Sequence, residues 1–152
     1  LTSEGSNADL LSGGAGSDTL SGGGGADTMA GGLDDDFFII SSGSEILQEN
    51  AGEGDRDTAL VEISGSNVVY NLTSNSAVEN ITYTGIGHAT LGGSDFANTI
   101  IGGENSNSLA GHGGNDSLVG GAIGDGCTGR AAGVQLVYSH DPVQWPTLGA
   151  SL

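Results

Sequence analysis

Four aspartates recur every nine residues near the start of this chain: Asp9, Asp18, Asp27 and Asp36. Two positions after each stands an apolar residue: Leu11, Leu20, Met29 and Phe38. The stretches between them are dominated by glycine, among them Gly14, Gly16, Gly22, Gly23, Gly24, Gly25 and Gly31. Carboxylates at a fixed interval, set beside turns that expose backbone carbonyls, make an all-oxygen donor set. Such a set suits a hard cation, and a flexible oxygen-lined loop favours Ca²⁺ over Mg²⁺ or Zn²⁺.

The elements that must position these donors follow from the period. Nine residues match neither the stripe of an amphipathic helix nor a simple alternating strand. Six turn-forming residues and three extended ones, one of them pointing inward, make half a coil. A full coil then has two such units, and every second repeat stacks. Stacked strands lie about 4.8 Å apart, so Asp9 is expected over Asp27 and Asp18 over Asp36. Two carboxylates that close repel unless a cation lies between them. Glycine at positions 1, 2 and 4 of the unit gives the turn backbone angles that other residues resist. Position 4 reads Asn7, Gly16, Gly25 and Asp34, and Asn and Asp are the non-glycine residues best tolerated at positive φ. A flexible Gly-rich linker would not keep aspartate and apolar residue in phase through successive units.

The period lapses and returns. Segments such as 37–40, 57–63, 67–72 and 78–84 are rich in β-branched and aromatic residues and bounded by Gly, Asn and Ser, which reads as strand. Wider, irregular coils are expected there in preference to a small sandwich-like insert. From about Gly93 the nine-residue phase resumes, with Asn98, Asn107, Asp116 and Asp125 at position 6. Stacking would pair Asn98 with Asp116 and Asn107 with Asp125. Each pair carries one charge where the earlier pairs carry two, so weaker calcium binding, or an empty first site, is expected in this second array.

The units read G-G-x-G-x-D-x-U-x, the known signature of calcium-binding parallel β-helix repeats. On these residues the chain resembles the repeats-in-toxin (RTX, haemolysin-type calcium-binding) family. The resemblance implies an all-β, right-handed parallel β-roll, a β-solenoid, with an irregular β segment in the middle. The lapse and return of the period, and an abrupt change of composition at the end, place the boundaries at 1–39 for the first array, 40–91 for the spacer, 92–128 for the second array and 129–152 for an atypical tail. The resemblance also implies a secreted, extracellular bacterial protein exported by a type I system, unfolded in the low-calcium cytosol and folded outside. Such arrays often accompany catalytic or adhesive domains. A larger parent with an upstream protease, lipase, epimerase or polysaccharide lyase is therefore one alternative, and an adhesin or surface-layer stalk another. The first residues already lie inside a repeat and there is no initiator Met or signal peptide, as expected of a piece of a longer protein.

Composition narrows the classes further. The 152 residues include 30 Gly and 19 acidic side chains against two basic ones, a net charge of −17. A chain so charged repels itself until counter-ions bind. It lacks the basic patches that nucleic acid requires, and no apolar run is long enough for a membrane span. Two Arg and no Lys are poor equipment for an anionic sugar, and neither a phosphate loop nor a nucleophile elbow is present. No catalytic residue is assigned. His88, His112 and His140 are not paired at zinc spacing. Cys127, the single cysteine, falls at an apolar position and reads as an inert thiol. The tail holds Trp145, Pro142 and Pro146; it reads as a terminal cap or as non-native sequence, without a clear match to the family's C-terminal secretion signal.

Overall fold

The computed structural model describes residues 1–74, 76–121 and 125–128, together with the backbone of Gln135–Val137. Fourteen strands and no helix are found among them. In chain order these are β1 (Leu10–Ala15), β2 (Thr19–Ser21), β3 (Thr28–Leu33), β4 (Phe37–Ile40), β5 (Ile46–Gln48), β6 (Thr58–Val61) and β7 (Asn67–Asn71). They continue as β8 (Asn80–Tyr83), β9 (His88–Gly92), β10 (Thr99–Ile101), β11 (Ser108–Ala110), β12 (Ser117–Val119), β13 (Gly126–Thr128) and β14 (Gln135–Val137).

Successive strands fall on opposite walls of a parallel β-solenoid. One wall is a continuous seven-stranded sheet, β2-β4-β6-β8-β10-β12-β14. The other is divided into β1-β3-β5 and β7-β9-β11-β13. Every pairing is parallel, and the register sets the coil length. Leu10 lies beside Thr28 and Thr19 beside Phe37, the double repeat expected. The same interval governs the later coils, where Thr99 lies beside Ser117 and Ser108 beside Gly126.

The core is a set of stacked columns. The inward residue of each unit, Leu11, Leu20, Met29, Phe38, Leu47, Ile81, Ile100, Leu109 and Leu118, is buried. Parallel sheets need both walls to shield this interior, and here each wall shields the other. The middle of the chain stays in the solenoid but widens. Phe37 now pairs with Thr58 and Thr58 with Asn80. The reason is local. β4, β6 and β8 each present two inward side chains, Phe38 and Ile40, Ala59 and Val61, Ile81 and Tyr83. A strand with two inward positions spans a wider wall than one with a single such position, and the connecting turn lengthens to match. The sandwich-like alternative for this segment does not form.

Candidate metal sites

Each nonapeptide turn ends at its position-6 residue, immediately before a strand. The strand fixes that residue's backbone, and the glycines ahead of it fold the turn over its side chain. On one edge the stacked residues are Asp9 and Asp27, with the Asp9 N–H donating to Asp27 Oδ1 at 2.9 Å. On the other, the Asp18 N–H donates to Asp36 Oδ1 at 2.7 Å. The second array repeats this contact: Asn98 N–H to Asp116 Oδ1 at 3.0 Å, and Asn107 N–H to Asp125 Oδ1 at 2.6 Å. All four sequence-derived pairs are thus brought together.

One carboxylate oxygen of each pair is occupied by this hydrogen bond; the other is the chemically telling one. Asp27 Oδ2, Asp36 Oδ2 and Asp116 Oδ2 are buried and have no hydrogen-bond partner. Their residues are at most 2% exposed. An ionised carboxylate taken out of water without full compensation is strongly disfavoured, by several kcal/mol. Burial accordingly raises the pKa of Asp36 and Asp116 above the usual carboxylate range. Such an oxygen requires a proton or a cation. The surroundings supply further donors: a methyl group built on Gly13 would lie 2.6 Å from both Asp18 Oδ2 and the Gly31 carbonyl oxygen, so side-chain and main-chain oxygens converge above that glycine. The residues present therefore fit a hard cation.

The glycines divide by role. Gly14, Gly16, Gly23 and Gly25 adopt positive φ, at positions 2 and 4 of their units. Gly22 and Gly31, at position 1, do not. They are required for another reason: a Cβ there would run into the carboxylates of Asp27 and Asp36. Gly24 N–H donates to the Gly5 carbonyl at 2.9 Å, tying one turn to the turn below. Asp34 takes the expected left-handed φ of 75°, whereas Asn7 does not join it. His112 replaces a position-2 glycine, is exposed and is held at φ 64°.

The asparagine turns are built differently. Asn107 Nδ2 donates to the Gly102 carbonyl at 2.6 Å and to the Asn105 carbonyl at 2.5 Å. Asn98 Nδ2 donates to the Val78 carbonyl at 2.8 Å, and Asn98 Oδ1 accepts from Ser94 N–H at 2.7 Å. An amide carries its own donors and so closes the turn without an ion.

Three acidic residues outside the sequence-derived set join the ladder. Asp36 N–H donates to Asp57 Oδ1 at 2.7 Å, and Asp57 N–H to Glu79 Oε2 at 2.8 Å. Gly31 N–H donates to Glu49 Oε1 at 2.5 Å. Burial raises the pKa of Asp57, Glu79 and Glu49, the last to about 7. The inserted turn residues obscure these positions in the sequence. The usable signal was the short triplet of acid, any residue and apolar residue, as in Asp57-Thr58-Ala59 and Glu79-Asn80-Ile81. Cys127 is half-buried against the core, and burial pushes its thiol pKa up. His140 and the Trp145 tail lie outside the described residues.

A family model for the RTX calcium-binding nonapeptide repeat matches residues 5–38 and 92–122, in four copies. No curated protein and no solved structure matches the chain. The matched residues cover the turns whose position-6 side chains stack in pairs, from Asp9 to Asp36 and from Asn98 to Asp116.

Proposed function

This chain is an RTX-type calcium-binding repeat protein, and from that premise we propose that Ca²⁺ bound along its acidic edges drives its folding. The reading has the aspartate turns of the first array as the principal sites, through Asp9, Asp18, Asp27 and Asp36. The turns of Asp116 and Asp125, each stacked on an asparagine, bind more weakly. One observation carries this: buried carboxylate oxygens at Asp27, Asp36 and Asp116 that have no donor. Without ions these oxygens oppose the compact state; with ions they become the contacts that hold adjacent coils together.

Magnitudes are consistent with a folding switch. At about ten times a Kd of about 10⁻⁴ M, one bound ion contributes about 1.4 kcal/mol. Four independent sites contribute about 6 kcal/mol, comparable with the roughly 5–15 kcal/mol of an ordinary domain. Because each coil touches only its neighbours, stability is a sum over local interfaces, and removal of the ions weakens every interface they bridge. In this reading the module belongs to a larger secreted protein, stays unfolded where calcium is scarce during export and folds in the calcium-rich exterior.

The test is far-ultraviolet circular dichroism during a Ca²⁺ titration, with EGTA reversal and a Mg²⁺ control. Strand signal is expected to appear with Ca²⁺ and disappear with EGTA. A full strand spectrum in EGTA would end the proposal.

A further inference from the structure

The widened coil breaks the repeat at one instructive place. Glu49 occupies the first position of the turn leading to Asp57, one coil above Gly31, where the regular turns carry glycine. A glutamate there cannot leave the space above the neighbouring glycine open; its carboxylate fills it. Glu49 Oε1 accepts from Gly31 N–H at 2.5 Å and from Gly32 N–H at 3.3 Å. Asp36 Oδ2 reaches the same point, since a Cβ on Gly31 would touch both Asp36 and Glu49. Asp57 approaches from the next coil, its Oδ1 held by the Asp36 N–H. One ligand oxygen from each of Asp36, Glu49 and Asp57 lies within 4.8 Å of the others.

We propose that Asp36, Glu49 and Asp57 form a three-carboxylate calcium site at the junction between the regular roll and the widened coils, sharing Asp36 with the last aspartate pair and adding two acids that no nonapeptide turn supplies. Burial and the lack of hydrogen-bond donors together support it. The cluster is buried, with Asp36, Glu49 and Asp57 only 2%, 3% and 1% exposed. Within it Asp36 Oδ2, Glu49 Oε2 and Asp57 Oδ2 have no hydrogen-bond partner. No basic side chain is paired with the cluster among the described interactions; instead, backbone N–H groups hold one oxygen of each acid and leave the second without a donor. The mutual spacing, within 4.8 Å for all three, is close to that of oxygens sharing one Ca²⁺ at about 2.3–2.6 Å. Three charges around one ion exceed the charge count of any nonapeptide pair, and affinity rises with ligand charge and rigidity. The junction ion is therefore the last to leave as calcium falls. It also lies where β5 ends and the second wall is interrupted, so it clamps the chain at the discontinuity. The choice of calcium as the occupant rests on the reading given above for the repeats.

The experiment is calorimetric titration of the full chain with CaCl₂, comparing wild type with Glu49→Gln. Glutamine keeps an acceptor for the Gly31 N–H, removes the charge and replaces the second oxygen with an amide NH₂. The expected result is that the tightest binding step weakens at least tenfold while the remaining steps are unchanged. Asp57→Asn, which leaves Asp9, Asp18 and Asp27 untouched, is expected to lose the same step. Loss of that step in both variants, with strand signal retained in saturating Ca²⁺, supports the site. Unchanged binding in both variants overturns it, as does tighter binding in Glu49→Gln, which would mean that a proton and not a cation joins the acids. Absence of any calcium binding in wild type would instead defeat the reading of the repeats themselves.

Discussion

The aspartate turns of the first coils and the asparagine turns around residue 100 close similar loops by different means. In the first, Asp27 and Asp36 each spend one oxygen on the N–H of the coil below and keep the other unpartnered. In the second, the Asn107 amide donates to the Gly102 and Asn105 carbonyls of its own turn. Asn98 likewise ties its turn to Val78 and Ser94. A carboxylate has only acceptors at neutral pH, whereas an amide has both donors and acceptors. The difference of one atom type therefore separates turns that require an external positive charge from turns that are complete by themselves. The same solenoid thus accommodates both kinds of turn without any change of fold.

The most forceful way to break this comparison is to truncate the position-6 residues. Asp27→Ala removes a proposed ligand and the acceptor for the Asp9 N–H; Asp18→Ala removes the oxygen that converges with the Gly31 carbonyl. A charge-assisted contact of this kind contributes about 1.5–3 kcal/mol, so the calcium midpoint is expected to rise more than tenfold in either variant. Asn107→Ala loses hydrogen bonds but no ligand charge, and its midpoint is expected to move less than that of either aspartate variant. Equal shifts, followed by calorimetry, would remove the distinction between the two kinds of turn.

A smaller effect sharpens the role of the first glycine. Gly22→Ala forces a methyl group into the Asp27 carboxylate, while the nearest atoms to a methyl on Gly102 are those of Asn107 at 3.0 Å. Overpacking costs about 1–3 kcal/mol. Gly22→Ala is expected near the upper end and Gly102→Ala near the lower, measured as urea midpoints in saturating Ca²⁺. The reverse order would show that the carboxylate swings away freely.

The smallest expected effect concerns His112, held at φ 64° where other units have glycine. Left-handed backbone costs an L-residue roughly 1–2 kcal/mol, so His112→Gly is expected to raise stability by about 1 kcal/mol. A loss of stability on thermal melting would mean that the imidazole contributes contacts exceeding that strain.

How legible this was in the sequence depended on whether neighbours in space stand at a constant separation in the chain. In the regular coils they do. Asp9 and Asp27, or Leu11 and Met29, are related by the same two repeats at every step, so local counting located both the stacked acids and the core. At the turn from Glu49 to Asp57 three residues are inserted between the first and sixth positions of the unit. Counting then lost Asp57 and Glu79, although each still precedes an inward apolar residue. Glu49 was harder still. It looks like an ordinary acid in a polar loop, and only its placement above Gly31 gives it a carboxylate neighbour.

From the sequence alone came the period, the column of inward apolar residues, the stacked acidic pairs and the choice of a hard oxygen-loving cation, because each depends on residue type and fixed spacing. Tertiary structure alone decided which oxygens are left without a donor, which asparagines complete their own turns, and which acid replaces a glycine beside two others. Those outcomes depend on the directions of side chains from separate coils, and direction is a property of the packed solenoid, absent from any nine-residue unit by itself.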